Sequence, residues 1–118
     1  MKHQIGRKKL NRKSPHRKSM LRNQIIHLIR YGFLQSTKVR VKQVQKITEK
    51  IVTIARRGSD FNTIRSVKKV LPYDPKMVEK LIGEIAPKYV DRPGGYTRVI
   101  PLGKRKSDTA QIARLEWV

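Results

Sequence analysis

The sequence predicts an α+β fold in which a run of helices is followed by a β-hairpin. Three observations carry this. Apolar residues recur at helical spacing through four stretches within residues 20–85. Glycine, proline and short polar residues punctuate those stretches where helices start and stop. After Arg92-Pro93-Gly94-Gly95 the pattern changes to two strand-like segments, YTRVIPL and TAQIARLEWV, rich in β-branched and aromatic residues.

The elements follow in order. Ser14-Pro15 supplies an N-cap serine and a proline at the first helical position. Met20, Leu21, Ile25, Leu28 and Ile29 then form one apolar face, with Arg17, Arg22 and Arg30 projecting elsewhere. Gly32 stands where a left-handed cap ends a helix, and residues 33–36 read as short and extended. Thr37 caps a second helix bearing Val41, Val44, Ile47, Ile51, Ile54 and Ala55, which Gly58 ends. Arg56 and Arg57 suit the dipole at that C-terminus and need no ligand to explain them. Ser59 or Asp60 caps a third helix with Phe61, Ile64, Val67 and Leu71 on its apolar side, stopped by Pro72. Asp74-Pro75 repeats the cap-then-proline signal for a fourth, carrying Met77, Val78, Leu81, Ile82 and Ile85 and stopping before Pro87. In the hairpin, Gly103 and residues 104–108 make the connection, and Pro101 puts the first strand at an edge. Ile112 and Leu115 have opposite parity, so the last strand carries a bulge or is buried on both sides.

A chain of 118 residues is long enough for one domain and too short for two. Residues 1–13, MKHQIGRKKLNRK, hold six basic residues and little to bury against their ordering entropy. They are expected to form a basic arm, disordered when free, ahead of a single domain over residues 14–118. Transit peptides are also basic and poor in acids, but Lys is as common here as Arg and no cleavage-like boundary follows.

Net charge is the dominant fact: 29 Lys plus Arg stand against 8 Asp plus Glu, a balance of +21. Residues 1–48 contain 14 basic residues and no acid, whereas from Glu49 onward the tally is 15 basic to 8 acidic. Self-repulsion on this scale becomes tolerable beside a polyanion. Nucleic acid is favoured over a membrane surface, because an aromatic content of 6% offers few interfacial anchors. No apolar run approaches the roughly 20 residues of a membrane span. The absence of cysteine excludes disulfides and thiolate metal sites, and fits a reducing compartment.

Catalysis finds no support. The carboxylates are scattered and stand mostly at helix caps or beside bases, and His3, His16 and His27 make no metal-ligand pattern. Gly94-Gly95 precedes a strand instead of following one, so it lacks the context of a dinucleotide loop. No enzymatic activity, cofactor or metal is expected.

Two constellations suit nucleic acid. Arg7, Arg12, Arg17 and Arg22 recur every five residues, and arginine can hold phosphate bidentately while releasing condensed counterions. The second is DRPGGYTR, residues 91–98. There Tyr96 either stacks on a base with Arg92 and Arg98 on phosphates, or sits in the core behind a structural turn; the residues leave both readings open.

RKKLNRKSPHRKSMLRN, residues 7–23, and PKYVDRPGGYTRVIPLG, residues 87–103, resemble the N- and C-terminal signatures of the seventeenth ribosomal protein of the bacterial large subunit. The resemblance covers the whole chain, more loosely over residues 57–76. It implies an α-β-α-α-α-β-β order in two layers, with helices on a small three-stranded sheet in which residues 33–36 pair with the hairpin. It also implies a monomeric constituent of the cytoplasmic ribosome that binds large-subunit rRNA near the peptide exit tunnel, beside neighbouring ribosomal proteins and without membrane insertion. Carried onto this chain, the candidate RNA-binding residues are Lys2, Arg7, Lys8, Lys9, Asn11, Arg12, Lys13, His16, Arg17, Lys18, Arg22 and Asn23 in the N-terminal region. In the C-terminal region they are Arg92, Gly94, Gly95, Tyr96, Arg98, Lys104, Arg105 and Lys106. The chain departs from the family at Ser107-Asp108, where Gly-Asp is usual, and at Trp117, where Leu is common. Trp117 leaves the C-terminal contact open between the core and a neighbour.

Two other readings compete. The second and third helices, with residues 56–60 as the turn, could form a DNA-binding helix-turn-helix, although the third offers only Arg65, Lys68 and Lys69 as strong contacts. An RNA-processing enzyme would need an acid–base pair or metal cluster that the sequence does not display.

Overall fold

A computed structural model describes residues 14–118. Helix α1 (Ser14–Tyr31) leads into β1 (Phe33–Thr37), then α2 (Lys38–Ala55), α3 (Phe61–Val70) and α4 (Pro75–Lys80). The chain continues through a π turn (Leu81–Ile85) and a 3-10 turn (Ala86–Tyr89) to β2 (Thr97–Lys104) and β3 (Gln111–Trp117). This is the expected α+β order. The disordered-arm expectation for residues 1–13 lies outside the described residues.

The strands form one antiparallel sheet in the order β1-β3-β2, so the last strand is central. Phe33 sits opposite Glu116 on one side of β3, and Arg98 opposite the same Glu116 on the other. Pro101 therefore lies on an edge strand, where its missing N–H costs no ladder bond. The register slips between Pro101 and Gly103, which places the bulge on β2 and not on the last strand itself. The face of β3 that carries Ala113 and Leu115 is buried, while Ile112 falls on the half-exposed face.

Helix α2 lies across all three strands and supplies the centre of the core. Its fully buried side is Val41, Val44, Thr48, Ile51, Val52 and Ala55, with Ile47 and Ile54 half-buried at the margin. Ile25, Leu28 and Ile29 of α1, Val67 of α3 with Leu71 just after it, and Leu81 of the π turn complete the same apolar cluster.

The helix boundaries follow local chemistry. Gly32 ends α1 at φ 84°, a left-handed conformation that glycine enters without steric cost, and its N–H bonds the Leu28 carbonyl at 2.9 Å. Asp60 is the cap that forms at α3, accepting from the Asn62 amide at 3.0 Å. Asp74 caps α4 by accepting from the Met77 amide, with Pro75 in the first turn.

The capping role expected of the Ser14 side chain lies outside what is described. Three expectations need correction. Thr37 is at the N-cap position of α2, with the extended backbone a cap adopts, but makes no side-chain capping bond. Phe61 is 75% exposed, because it lies about 120° around α3 from Val67 and farther still from Thr63, off the buried side. The fourth helical stretch does not stop before Pro87. A π turn widens the spiral, and a 3-10 turn then accepts Pro87 near its start, where a missing N–H is tolerated.

Trp117 belongs to the core margin: its Nε1–H donates to the Leu28 carbonyl at 3.4 Å and its ring stacks with Tyr89 at 6.2 Å. The Tyr89 hydroxyl in turn donates to the Val118 carbonyl at 2.9 Å. Burial pushes the Tyr89 phenol above its ordinary pKa, against a smaller opposing pull from Arg92.

Candidate nucleic-acid interface

Of the candidate residues, Lys2, Arg7, Lys8, Lys9, Asn11, Arg12 and Lys13 lie outside the described residues. The remainder fall into three places. On α1, His16, Lys18 and Asn23 are exposed and Arg17 and Arg22 half-buried; His16 and Asn23 stand away from the buried Leu21–Ile25–Leu28 stripe, while Lys18 and Arg22 border it. Lys18 and Arg22 line a cavity of about 300 Å³ together with Lys69 of α3, above a floor that includes Leu21, Ile25, Ile47 and Val70. The Arg22 guanidinium also lies 5.9 Å from the ring centroid of Tyr73, itself 65% exposed. In the sequence, Lys69 stands out only as part of a possible recognition helix. The fold brings it to the α1 face.

The loop after Tyr89 is the second place, and the fold holds it to α2 through Glu49, the first carboxylate in the chain. One carboxylate oxygen accepts from the Tyr96 amide at 3.1 Å. The other accepts from the Thr97 amide at 3.1 Å and from the Thr97 hydroxyl at 2.8 Å. Arg56, at the C-terminus of α2, donates to the Arg92 carbonyl, so this arginine has a structural use as well as a dipolar one. Arg92 donates to the Gly95 carbonyl at 3.3 Å and lies 6.0 Å from the Tyr89 ring centroid. Gly95 adopts φ 64°, which turns the chain so that Tyr96 enters the core.

Tyr96 is fully buried, its ring 5.3 Å from that of Tyr89 and its hydroxyl 3.2 Å from Thr53 Oγ1. It has no face to offer a base, so the stacking role is withdrawn and the core reading stands. A cavity of about 580 Å³ remains beside it, lined by Lys50, Thr53, Pro93 and the two glycines among others.

The hairpin end is the third place. Lys104, Arg105 and Lys106 are exposed, but Arg105 is engaged. Its guanidinium donates to both oxygens of Asp108, at 3.0 and 2.6 Å. That bond, with help from the Ala110 amide, holds Asp108 down to about 2. Arg98 is likewise paired, at 2.9 Å from Glu116, which Arg114 also contacts at 3.1 Å. Two of the arginines assigned to phosphate thus already have carboxylate partners on this surface. Pairs this exposed contribute little to stability and are screened by salt, so a polyanion can displace them.

Sequence reasoning passed over Lys38, Lys42 and Lys46. They line a cavity of about 600 Å³ between the first half of α2 and the hairpin end. Their spacing of four residues, opposite the apolar stripe, was the available signal. It is also the ordinary pattern of a solvated helix face, and only the tertiary structure puts a wall opposite it. Among the described residues no group of three or more His, Asp or Glu side chains could hold a metal ion. No described helix is long and apolar enough to cross a membrane.

Comparison with known proteins decides the family. The model of the family described as ribosomal protein L17 matches residues 20–118. The chain belongs to the ribosomal protein L17 family. It is 43% identical over 118 residues to a protein of Borrelia turicatae named large ribosomal subunit protein bL17, covering all of this chain and 94% of the relative. A protein of the same name from Campylobacter lari is 42% identical over 118 residues, covering all of this chain and 99% of the relative. Another, from a Thermoanaerobacter species, is 41% identical over 116 residues, covering 97% of this chain and 100% of the relative. L17 family members are structural components of the ribosome, and this chain is accordingly not an enzyme. The L17 match also runs through residues 57–76, the stretch where the signatures were weakest.

Proposed function

We propose that the chain is a structural constituent of the large ribosomal subunit in the cytoplasm. It binds and stabilises large-subunit rRNA through residues 1–13 as a basic arm, the basic side of α1, and the loops at residues 92–98 and 104–106. The observation that carries this reading is the L17 match over residues 20–118 in a chain of net charge +21. The mechanism is neutralisation and positioning. Each lysine or arginine that meets a phosphate releases condensed counterions, and the helical body keeps the loops from collapsing onto one another. Glu49 serves the second task by pinning the loop at Tyr96 and Thr97, which leaves Arg92 and the exposed glycine at the surface. A position beside the peptide exit tunnel, among neighbouring ribosomal proteins and as a monomer, completes the proposal.

The test compares binding of the full chain to large-subunit rRNA and to duplex DNA of equal length across a salt series, with and without residues 1–13. That deletion leaves α1 whole. Contact with 8–10 phosphates gives a log–log salt slope of roughly −6 to −9. RNA preference that survives moderate salt and falls on deletion of the arm is the expected result. Equal affinity for both nucleic acids, lost alike with salt, sinks the rRNA assignment. A helix-turn-helix reading rests on Asn62, Arg65, Lys68 and Lys69 of α3 alone, and the family match lends it no support.

A further inference from the structure

The groove between α2 and the hairpin end is built differently from the rest of the basic surface. Lys38, Lys42 and Lys46 stand on successive turns of one helix face, about 6 Å apart along the axis by helical rise. They do not project from a convex surface. They line the 600 Å³ cavity whose opposite wall is Ala110 and Gln111, with Val39, 47% exposed, among its lining residues. A second hollow of about 250 Å³ shares Lys38 and Gln111 with it and adds Lys104 of the hairpin. No carboxylate lines either space, and none of these four lysines is ion-paired among the described residues. Asp108, the one acid of the hairpin end, is consumed by Arg105.

We infer that this groove is a separate RNA-binding surface, which seats one strand with successive phosphates on Lys38, Lys42 and Lys46. A ribose or base edge rests against Val39 and Ala110, and Lys104 closes the strand in from the hairpin. The inference rests on the proposal that the chain binds large-subunit rRNA, and adds a site independent of the arm. RNA fits better than an acidic peptide because its charge repeats at every backbone step, so each lysine on successive turns is met. A peptide would have to be acidic at every contacting position.

The experiment uses the full chain, in two triple variants of equal charge change. One carries Lys38→Gln, Lys42→Gln and Lys46→Gln. The other carries Lys68→Gln, Lys76→Gln and Lys88→Gln, on exposed positions outside the groove. Binding to large-subunit rRNA is measured across a salt series, with circular dichroism confirming the helices. The groove variant is expected to flatten the log–log salt slope by about 2–3 units and to weaken binding roughly tenfold or more at moderate salt. The control variant should lose less than about threefold. Restoring charge with Lys→Arg at the three groove positions should recover most of the affinity. Amine-modification footprinting of the wild-type complex gives a second reading that needs no variant: Lys38, Lys42, Lys46 and Lys104 should be protected while Lys76 and Lys88 stay reactive. Equal losses in both variants, or groove lysines that stay reactive while the RNA is bound, overturn the groove and leave rRNA binding intact. Protection of the groove by polyglutamate as strong as by RNA at equal charge overturns it in favour of an acidic protein. If the wild-type chain shows no rRNA preference at all, the functional proposal falls and the groove with it.

Discussion

Replacing Glu49 with alanine removes the clasp that joins α2 to the start of β2. Three donors converge on its carboxylate at 2.8–3.1 Å, two of them backbone amides of residues that are themselves buried. Hydrogen bonds to a charged acceptor contribute about 1.5–3 kcal/mol each, so three set a ceiling of roughly 5–9 kcal/mol. The net loss is smaller, because Glu49 is only half-buried and the 580 Å³ cavity beside Tyr96 admits water to the orphaned amides. A cost of about 2–4 kcal/mol remains, which lowers the melting temperature of a domain of this size by on the order of 10 °C. Glu49→Gln should recover only part of it. Its carbonyl can serve the Thr97 amide, but its NH₂ must then face the Tyr96 N–H, donor against donor. Urea unfolding followed by circular dichroism at fixed salt checks this. A loss below about 0.5 kcal/mol for Glu49→Ala, which is the size of an ordinary surface substitution, refutes the clasp.

Further predictions test other contacts. Tyr96→Phe removes the hydroxyl that meets Thr53 and should cost about 1 kcal/mol in a thermal melt with no change in RNA affinity; a large affinity loss at unchanged stability would mean that the hydroxyl itself meets RNA and would overturn the core reading. Gly32→Ala should cost about 1–2 kcal/mol, measured by denaturant unfolding, from backbone strain alone, since a Cβ there meets nothing within 4 Å. Asp108 should titrate near 2 by carboxyl NMR, and return toward the ordinary carboxylate range in Arg105→Gln. A depressed native value means the pair's contribution is present above the unfolded value of about 3.8 and is lost as pH falls through about 2. An unshifted Asp108 midpoint in the wild-type chain would remove the basis for treating Arg105 as engaged.

Much of the fold was legible because its signals are local. A glycine that ends α1, an aspartate before Asn62, an Asp-Pro pair before α4 and a proline confined to an edge strand each act through the backbone within a few residues. The errors came where local pattern and tertiary context part. Phe61 continues the apolar spacing of Ile64 but lies about 120° around the helix from Val67, and spacing alone cannot say which side of a short helix is buried. Pro87 reads as a stop, yet a widened turn followed by a tight one carries the chain past it. The family signatures at residues 7–23 and 87–103 pointed to the same family as the L17 match, because they are dense in residues with unusual combined constraints.

The sequence alone settled the charge imbalance, the acid-free first 48 residues and the order of helices and strands, since composition and backbone chemistry do not depend on long-range contacts. Tertiary structure decided which charges are free. Glu49 meets residues 96 and 97 across 47 and 48 positions, Arg98 meets Glu116 across a strand pair, and Lys38, Lys42 and Lys46 face the hairpin end only because α2 crosses the sheet. Coulomb and hydrogen-bond energies depend on separation in space, and nothing along the chain encodes that separation until the core has packed.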